Sequence, residues 1–350
     1  MKDVEILAAI SQLERERGVS KEALFEALEA ALLSAYRKNY GTTQNVRIQV
    51  MRDTGKVRVL SRRTVVENVT DPKTEVSLEQ AREKDPSYQL GDVVEEEIAA
   101  EGFGRIAAQT AKQVVIQKLR EAERGMIYEE FASREGDVVT GIVARIEGRT
   151  VVVDLGRVEG IIPPQEQVKG ERLSQGERIK AYVVEVKKTS RGPEIILSRT
   201  HPGLLKRLFE LEVPEINDGV VEIRSIAREP GSRSKVAVRA TLPEVDALGA
   251  CVGPRGSRVQ SVVQALKGER IDIIEWDEDP AKFVANALSP ARVIKAEVFP
   301  EQKLARAIVP DYQFSLAIGR EGQNARLAAK LTGWKVDIRP ESQVKGPANR

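Results

Sequence analysis

A chain of 350 residues is long enough for about two to four domains, and its 31% charged side chains exceed the usual quarter or so. A formal net charge of only +2 excludes a uniformly basic polyanion-binding surface, so any nucleic-acid contact must rest on local clusters. There is no apolar run of roughly 18 residues, Lys2-Asp3-Val4-Glu5 opens an amphipathic pattern rather than a signal peptide, and the single Cys251 excludes an intramolecular disulfide, so a cytoplasmic protein without membrane contact is expected.

In chain order, Ile6, Leu7, Ile10 and Leu13 mark one side of a first helix that stops at Gly18. A second helix, capped by Ser20 and ended by Gly41, shows an apolar face through Leu24, Leu28, Ala31 and Ala35. Residues Val46 to Val50 and Lys56 to Leu60 read as strands joined by the hairpin turn Asp53-Thr54-Gly55. After Gly91 another strand precedes a long helix from about Arg105 to Phe131, striped by Ala108, Ala111, Val115, Leu119, Ala122 and Met126 at helical spacing. This helix is expected to lead into the next domain, and nothing in this α/β head has the makings of a catalytic site.

Five apolar runs follow, at Val138–Ile146, Thr150–Leu155, Val158–Ile162, Arg178–Val186 and Ile195–Leu197, a count that suggests a small barrel. The strings Gly136-Asp137-Val138-Val139-Thr140-Gly141 and Val153-Asp154-Leu155-Gly156, with Glu159-Gly160, resemble an S1 RNA-binding domain of the OB-fold type. Where such barrels present aromatic rings this one has Gly148-Arg149-Thr150-Val151, and Pro163-Pro164 stand where a histidine is common, which puts base stacking on the barrel in doubt. Arg145, Arg149 and Arg157 are open to two readings, as a phosphate track or as a solvated barrel surface.

The C-terminal part carries two Gly-x-x-Gly loops 66 residues apart (319 − 253 = 66). The first is Gly253-Pro254-Arg255-Gly256, followed by Ser257 and Arg258, and the second is Gly319-Arg320-Glu321-Gly322, followed by Gln323 and Asn324. Glycines let the backbone take positive φ and come close to a ligand, and amides at a following helix N-terminus can meet phosphates. One isolated hit is a weak signal and reads first as a helix–helix turn. Here each loop is followed by a helix ending near Gly268 or Gly333 and then by a strand, Arg270–Glu275 or Trp334–Arg339, so the order helix, strand, strand, helix, loop, helix, strand occurs twice. That order resembles two tandem KH domains of the prokaryotic type (type II), whose loops clamp about four single-stranded nucleotides each. The acidic stretch Asp277-Glu278-Asp279-Pro280 reads as a solvated turn between the two units, so no metal is assigned.

The whole arrangement resembles the NusA family of bacterial transcription elongation, termination and antitermination factors. Its most specific strings are Phe209-Glu210-Leu211-Glu212-Val213-Pro214-Glu215-Ile216, Ala227-Arg228-Glu229-Pro230-Gly231-Ser232-Arg233-Ser234-Lys235 and Ala317-Ile318-Gly319-Arg320-Glu321-Gly322-Gln323-Asn324. The resemblance implies a multidomain α+β protein: residues 1–132 bind the RNA polymerase core near its RNA exit, 133–200 form the S1 barrel, and 201–279 and 280–350 form the two KH domains. It further implies that the barrel and KH domains hold single-stranded nascent RNA and that pausing, termination and antitermination are modulated together with other elongation factors. The expected RNA contacts are the two loops with Ser257, Arg258, Gln323 and Asn324, joined by Arg228, Arg233 and Lys235. No catalytic residue, metal or cofactor is expected, and a monomer is the default because no heptad seam is evident. Acidic C-terminal repeats occur in some family members; this chain ends in a polar tail, so contacts made through them are not carried over.

Two alternatives compete with this reading. Phosphorolytic exoribonucleases also carry KH and S1 modules, but in the opposite order and after large catalytic domains, and the sole histidine, His201, precedes Pro202 as a helix start would. A translation-side or ribosome-associated RNA-binding protein would share the C-terminal modules, and the head domain would discriminate.

Overall fold

The structure, a computed structural model, describes residues 7–8, 10–12, 14–15, 20–40, 45–99 and 102–344. Its packing divides the chain into two compact units, Met1–Met126 and Ile127–Arg350.

In the first unit, helix α1 (Lys21–Tyr40) buries Leu24, Phe25, Leu28, Leu32 and Tyr36. The expected apolar face thus rotates from Ala31 and Ala35 to Leu32 and Tyr36, because the larger side chains remove more apolar area from water. Of the residues expected in the preceding helix, Leu7 and Ile10 pack with this core, while Ile6, Leu13 and Gly18 lie outside the described residues, as does Gly41. Strands β1 (Val46–Val50) and β2 (Val57–Val66) form the expected antiparallel hairpin, with Gly55 at φ 73° closing it. β2 runs past the expected Leu60 to pair with β3 (Glu75–Ser77) in parallel and with β4 (Val93–Glu97) antiparallel. A short helix α2 (Leu78–Lys84), capped by Ser77, covers a small second core of Val65, Val76, Ala81 and Val94.

The long helix α3 spans Phe103–Ala132. Its first turns bury Phe103, Ala107 and Ala111 in the head core, and its last place Ile127, Tyr128 and Phe131 on the barrel core. The barrel is closed in the order β5-β6-β7-β9-β8, from β5 (Val138–Glu147), β6 (Thr150–Asp154), β7 (Glu159–Ile162), β8 (Arg178–Thr189) and β9 (Gly192–Ser198). All five expected strands are present, and β8 and β9 extend beyond their apolar runs because their solvent-side ends still pair with each other.

The C-terminal half repeats one plan. The first unit comprises α4 (Pro202–Glu212), the single turn α5 (Pro214–Asn217), β10 (Val221–Glu229), β11 (Arg233–Ala240), α6 (Ala247–Val252), α7 (Ser257–Ala265) and β12 (Arg270–Glu275). The second comprises α8 (Pro280–Ala287), β13 (Lys295–Phe299), β14 (Leu304–Val309), α9 (Phe314–Ile318), α10 (Gln323–Thr332), β15 (Lys335–Pro340) and the terminal turn α11 (Glu341–Val344). In each, an antiparallel pair is followed by a strand added in parallel beyond the connecting helices. The units are fused through apolar packing: Ala227, Ala237 and Ile274 of the first share a core with Phe283, Ala287, Leu327 and Leu331 of the second.

Candidate nucleic-acid interface

The two glycine loops have nearly the same backbone. Gly253 lies at φ 74°, ψ 172° and Gly319 at φ 76°, ψ 171°, while the third loop residues, Arg255 and Glu321, share φ 53°, ψ 26°. Each first glycine ends a helix, with Gly253 N–H donating to Gly249 O at 2.9 Å and Gly319 N–H to Ser315 O at 2.9 Å. Each last glycine turns back on the first, at 3.0 Å for Gly256 and 3.1 Å for Gly322. A Cβ on Gly253 would fall 2.6 Å from the Arg258 side chain, and one on Gly319 would fall 2.8 Å from the Asn324 backbone nitrogen, so neither position accepts a larger residue in this shape.

What the loops display differs. Pro254 and Arg255 are exposed in the first, and in the second Arg320 and Glu321 are 93% and 83% exposed, 3.8 Å apart. Both loops run straight into a helix N-terminus, of α7 and α10, where the helix dipole favours an anion, although Ser257 N–H and Gln323 N–H at these starts already donate to Pro254 O and Arg320 O. The arrangement can set an anion against each helix start, with an exposed arginine at each loop, Arg255 or Arg320.

The residues next to the loops have structural tasks. Arg258 donates to Ala250 O (2.6 Å) and to Glu215 (2.8 Å), tying α7 back onto α6. The buried Asn324 does the same in the second unit, donating to Ala317 O and Leu288 O at 2.9 Å. Gln323 reaches into the first unit, to Glu229 (2.9 Å) and Ser232 (2.8 Å), and Arg326 joins it on Glu229 at 2.6 Å and on Glu321 O at 3.2 Å. Arg326 holds the Glu229 carboxyl below its usual range. Ser257 remains exposed at the start of α7.

Three of the expected RNA-facing cations are turned inward instead. The Arg228 side chain, 1% exposed, forms an ion pair with Glu269 and donates to Arg199 O and His201 O. Lys235, fully buried, donates to Asp272 (3.0 Å) and Ser289 O (2.7 Å), and burial lowers its pKa. Arg233 shares Asp272 at 2.8 Å. Their carboxylate partners lie 37 to 41 residues away on or beside β12, brought alongside only when the parallel strand is added. The side chains of Arg228, Arg233 and Lys235 are thus tied to carboxylates of their own unit, and Lys235 also to Ser289 O of the second.

On the barrel, Arg145 is paired with Glu159 and Glu147, which raise its pKa. Arg157 lies 3.7 Å from Glu130. Arg149 lines an open cleft of about 600 Å³ together with Lys169 and Arg172. His201 caps α4 by accepting from Gly203 N–H at 3.0 Å and stacks on Tyr182 at 4.3 Å, a helix-start role. Asp277 and Asp279 are used by their own turn, Asp279 capping α8 through Ala281 N–H, and among the described residues no group of three or more potential ligands is placed to hold a metal.

Sequence reasoning missed a second cleft, of about 340 Å³, between β12 and the segment after α8, lined by Leu248, Ile273, Glu275, Asn286 and Arg292. It also missed the tie from Glu229 to Gln323 and Arg326. Both arise between units, and no local pattern announces them.

A closed five-stranded barrel followed by two fused copies of a glycine-loop, three-stranded unit defines the class: a multidomain RNA-binding protein with S1 and KH modules. The chain matches the NusA N-terminal domain family over residues 5–125, the S1 RNA binding domain over 133–199, the NusA-like first KH domain over 199–276 and the NusA-like second KH domain over 280–346. It is similar to the transcription termination/antitermination protein NusA of Halalkalibacterium halodurans, 58% identical over 97% of this chain and 89% of that one. It is also similar to NusA of Bacillus subtilis, 56% identical over 97% and 92%. Among solved structures, the N-terminal domain of NusA from B. subtilis in solution is 53% identical, covering 35% of this chain and 98% of that one at a TM-score of 0.33. The chain belongs to the NusA family and is an RNA-binding transcription termination/antitermination factor.

Proposed function

We propose that the chain couples RNA polymerase to its own transcript. The head, residues 1–132, binds the polymerase core near the RNA exit, and the S1 barrel (133–200) and KH domains (201–279 and 280–350) hold the single-stranded RNA as it emerges. It acts in the cytoplasm as a monomer, beside other elongation and antitermination factors, and without chemistry of its own: it changes pausing, termination and antitermination by where it holds RNA. The RNA contacts are the backbone of Gly253–Gly256 and Gly319–Gly322, with Arg255 and Arg320 supplying charge. The observation that carries this reading is the shared backbone of two loops that open onto helix N-termini with their central side chains in solvent.

Replacing Pro254, Arg255, Arg320 and Glu321 together by Asp sets carboxylates where phosphates belong. Fluorescence anisotropy with a labelled single-stranded RNA should then show at least about a tenfold loss of affinity, equivalent to about 1.4 kcal/mol, while binding of the intact variant to core polymerase stays at the parental level. Parental RNA affinity in this variant would remove the loops from the mechanism. Absence of polymerase binding by the unmodified chain would instead move the ribosome forward as its partner.

A further inference from the structure

Tyr312 is 81% exposed, more than any other large hydrophobic side chain among the described residues. It sits in the single turn Asp311–Gln313 that leads directly into α9, and α9 ends in the second glycine loop. The turn is anchored on both sides of the ring. Asp311 accepts from Ser342 N–H at 3.1 Å, the Gln313 side chain accepts from Arg292 N–H, and Gln313 N–H donates to Pro310 O at 2.9 Å. Phe314, the next residue after Gln313, packs with Ala291, Val309 and Ala317. An aromatic ring is therefore displayed in water on fixed backbone.

Three further observations give the ring a direction. Tyr312 stands two residues before α9 and Gly319 directly after it, and between them Leu316 on the helix is itself 46% exposed. With five residues, α9 is about 7.5 Å long, so the turn that bears the ring and the loop stand at the two ends of one short helix. In the first unit the position 66 residues earlier (312 − 66 = 246) is Asp246, which caps α6 by accepting from Gly249 N–H at 3.0 Å. The second unit has given up that cap, since α9 has no side-chain cap bond, and has put a ring in its place. Departures from local preference with no structural return are expected where function is served.

We propose that Tyr312 is a base-stacking platform: it takes an unpaired nucleobase of the RNA strand whose phosphates lie on Gly319–Gly322. The ring supplies what the barrel's Gly148–Val151 stretch does not, a π-face for a base, and it makes the two KH units unequal, the first holding RNA through Arg255 and the second adding a stack. This inference rests on the loops holding RNA, and the experiment separates the two.

A fluorescein-labelled single-stranded RNA of about a dozen nucleotides, enough for two units at about four each, is titrated with the intact chain and with Tyr312→Ala, Tyr312→Leu, Tyr312→Trp and the fourfold aspartate loop variant. Tyr312→Ala should weaken binding about five- to a hundredfold, the equivalent of about 1 to 3 kcal/mol per stacked base, and Tyr312→Leu should stay weak although its apolar bulk is kept. Tyr312→Trp should restore affinity, and RNA should quench its added indole emission relative to the unmodified chain. Parental affinity in Tyr312→Ala or Tyr312→Leu, or indole emission that RNA leaves unquenched in Tyr312→Trp, overturns the proposal. So does a loss in Tyr312→Ala confined to polymerase binding, which would make the ring a protein contact. If the loop variant itself keeps its RNA affinity, the failure lies with the loop reading and not with Tyr312 alone.

Discussion

Arg228 is a surface residue by type and an interior one by circumstance. Its guanidinium and the Glu269 carboxylate are each 1% exposed, and Glu269 also accepts from Gly231 N–H and Ser234 Oγ–H, so the buried charge pair is closed by hydrogen bonds. Such a pair adds little over an apolar one, but removing one partner leaves a bare charge in low dielectric, at a cost of about 3 to 5 kcal/mol. Arg228→Ala should therefore lower the unfolding free energy read from urea denaturation by that amount while the folded fraction keeps its RNA affinity; a stable variant with weakened RNA binding would return Arg228 to the interface. Cys251 is the opposite case, a neutral group held neutral: burial pushes its thiol up to about 12. In the unfolded chain a thiol ionises near about 8.5. This residue's contribution to stability is thus fully present below that pH and is lost as pH rises toward 12. At about pH 8, just below the free thiol's pKa, the native chain should leave a thiol-reactive dye unreacted for hours and consume one equivalent at once in denaturant; rapid native labelling would show that the α6 packing opens.

The same loop backbone, used twice, tests how much an element owes to its glycines. Gly253 and Gly319 share positive φ, so alanine carries about the same backbone strain at either, of order 1–3 kcal/mol. Their neighbours differ: a methyl at 253 meets the Cγ of Arg258, a side chain that can shift, and one at 319 meets the backbone nitrogen of Asn324, which cannot shift without moving α10. Gly319→Ala should therefore lower Tm more than Gly253→Ala, and equal losses would mean that Arg258, held by Glu215 and Ala250 O, is as rigid as backbone. Elements of this kind were readable in the sequence because their signals are local: glycine spacing, apolar periodicity and the repeat at 66 residues placed both KH units and all five barrel strands. The three-residue β3 and the seven-residue α2 carry too short a pattern to be seen. Arg228, Arg233 and Lys235 turn inward against expectation for one reason, that an exposed and a paired cation look alike until the strand bearing the carboxylate is set beside them. Within the site, the loops were legible and the ties that brace them were not.

At the scale of the whole RNA-binding unit, one turn joins three domains. The β10–β11 turn, Glu229 to Ser232, receives Gln323 and Arg326 from beside the second glycine loop and offers Gly231 N–H to Glu269 within its own unit. At Gly231 it also meets the barrel, where a Cβ would lie 2.3 Å from Val168 Cγ1. Together with the shared core of Ala237, Ile274, Phe283 and Leu327, these contacts fix the two loops relative to each other. On the proposed reading, a strand held at one loop would be presented to the other at high effective concentration. The junction makes a quantitative prediction. Gly231 is at φ 76°, so Gly231→Ala carries both backbone strain and a collision with Val168, and overpacking of this sort costs about 1 to 3 kcal/mol. Val168→Ala removes the colliding methyls and leaves the φ unchanged. The double variant should therefore be more stable than the sum of the singles, yet less stable than Val168→Ala alone, and the non-additivity measures the barrel–KH contact. Additive losses would mean that barrel and KH domain separate without cost at this turn, and the salt-dependent affinity for long RNA should then be unchanged in Gly231→Ala. With the contact intact in the unmodified chain, that variant should instead lose affinity for long RNA and keep it for RNA short enough to occupy one loop.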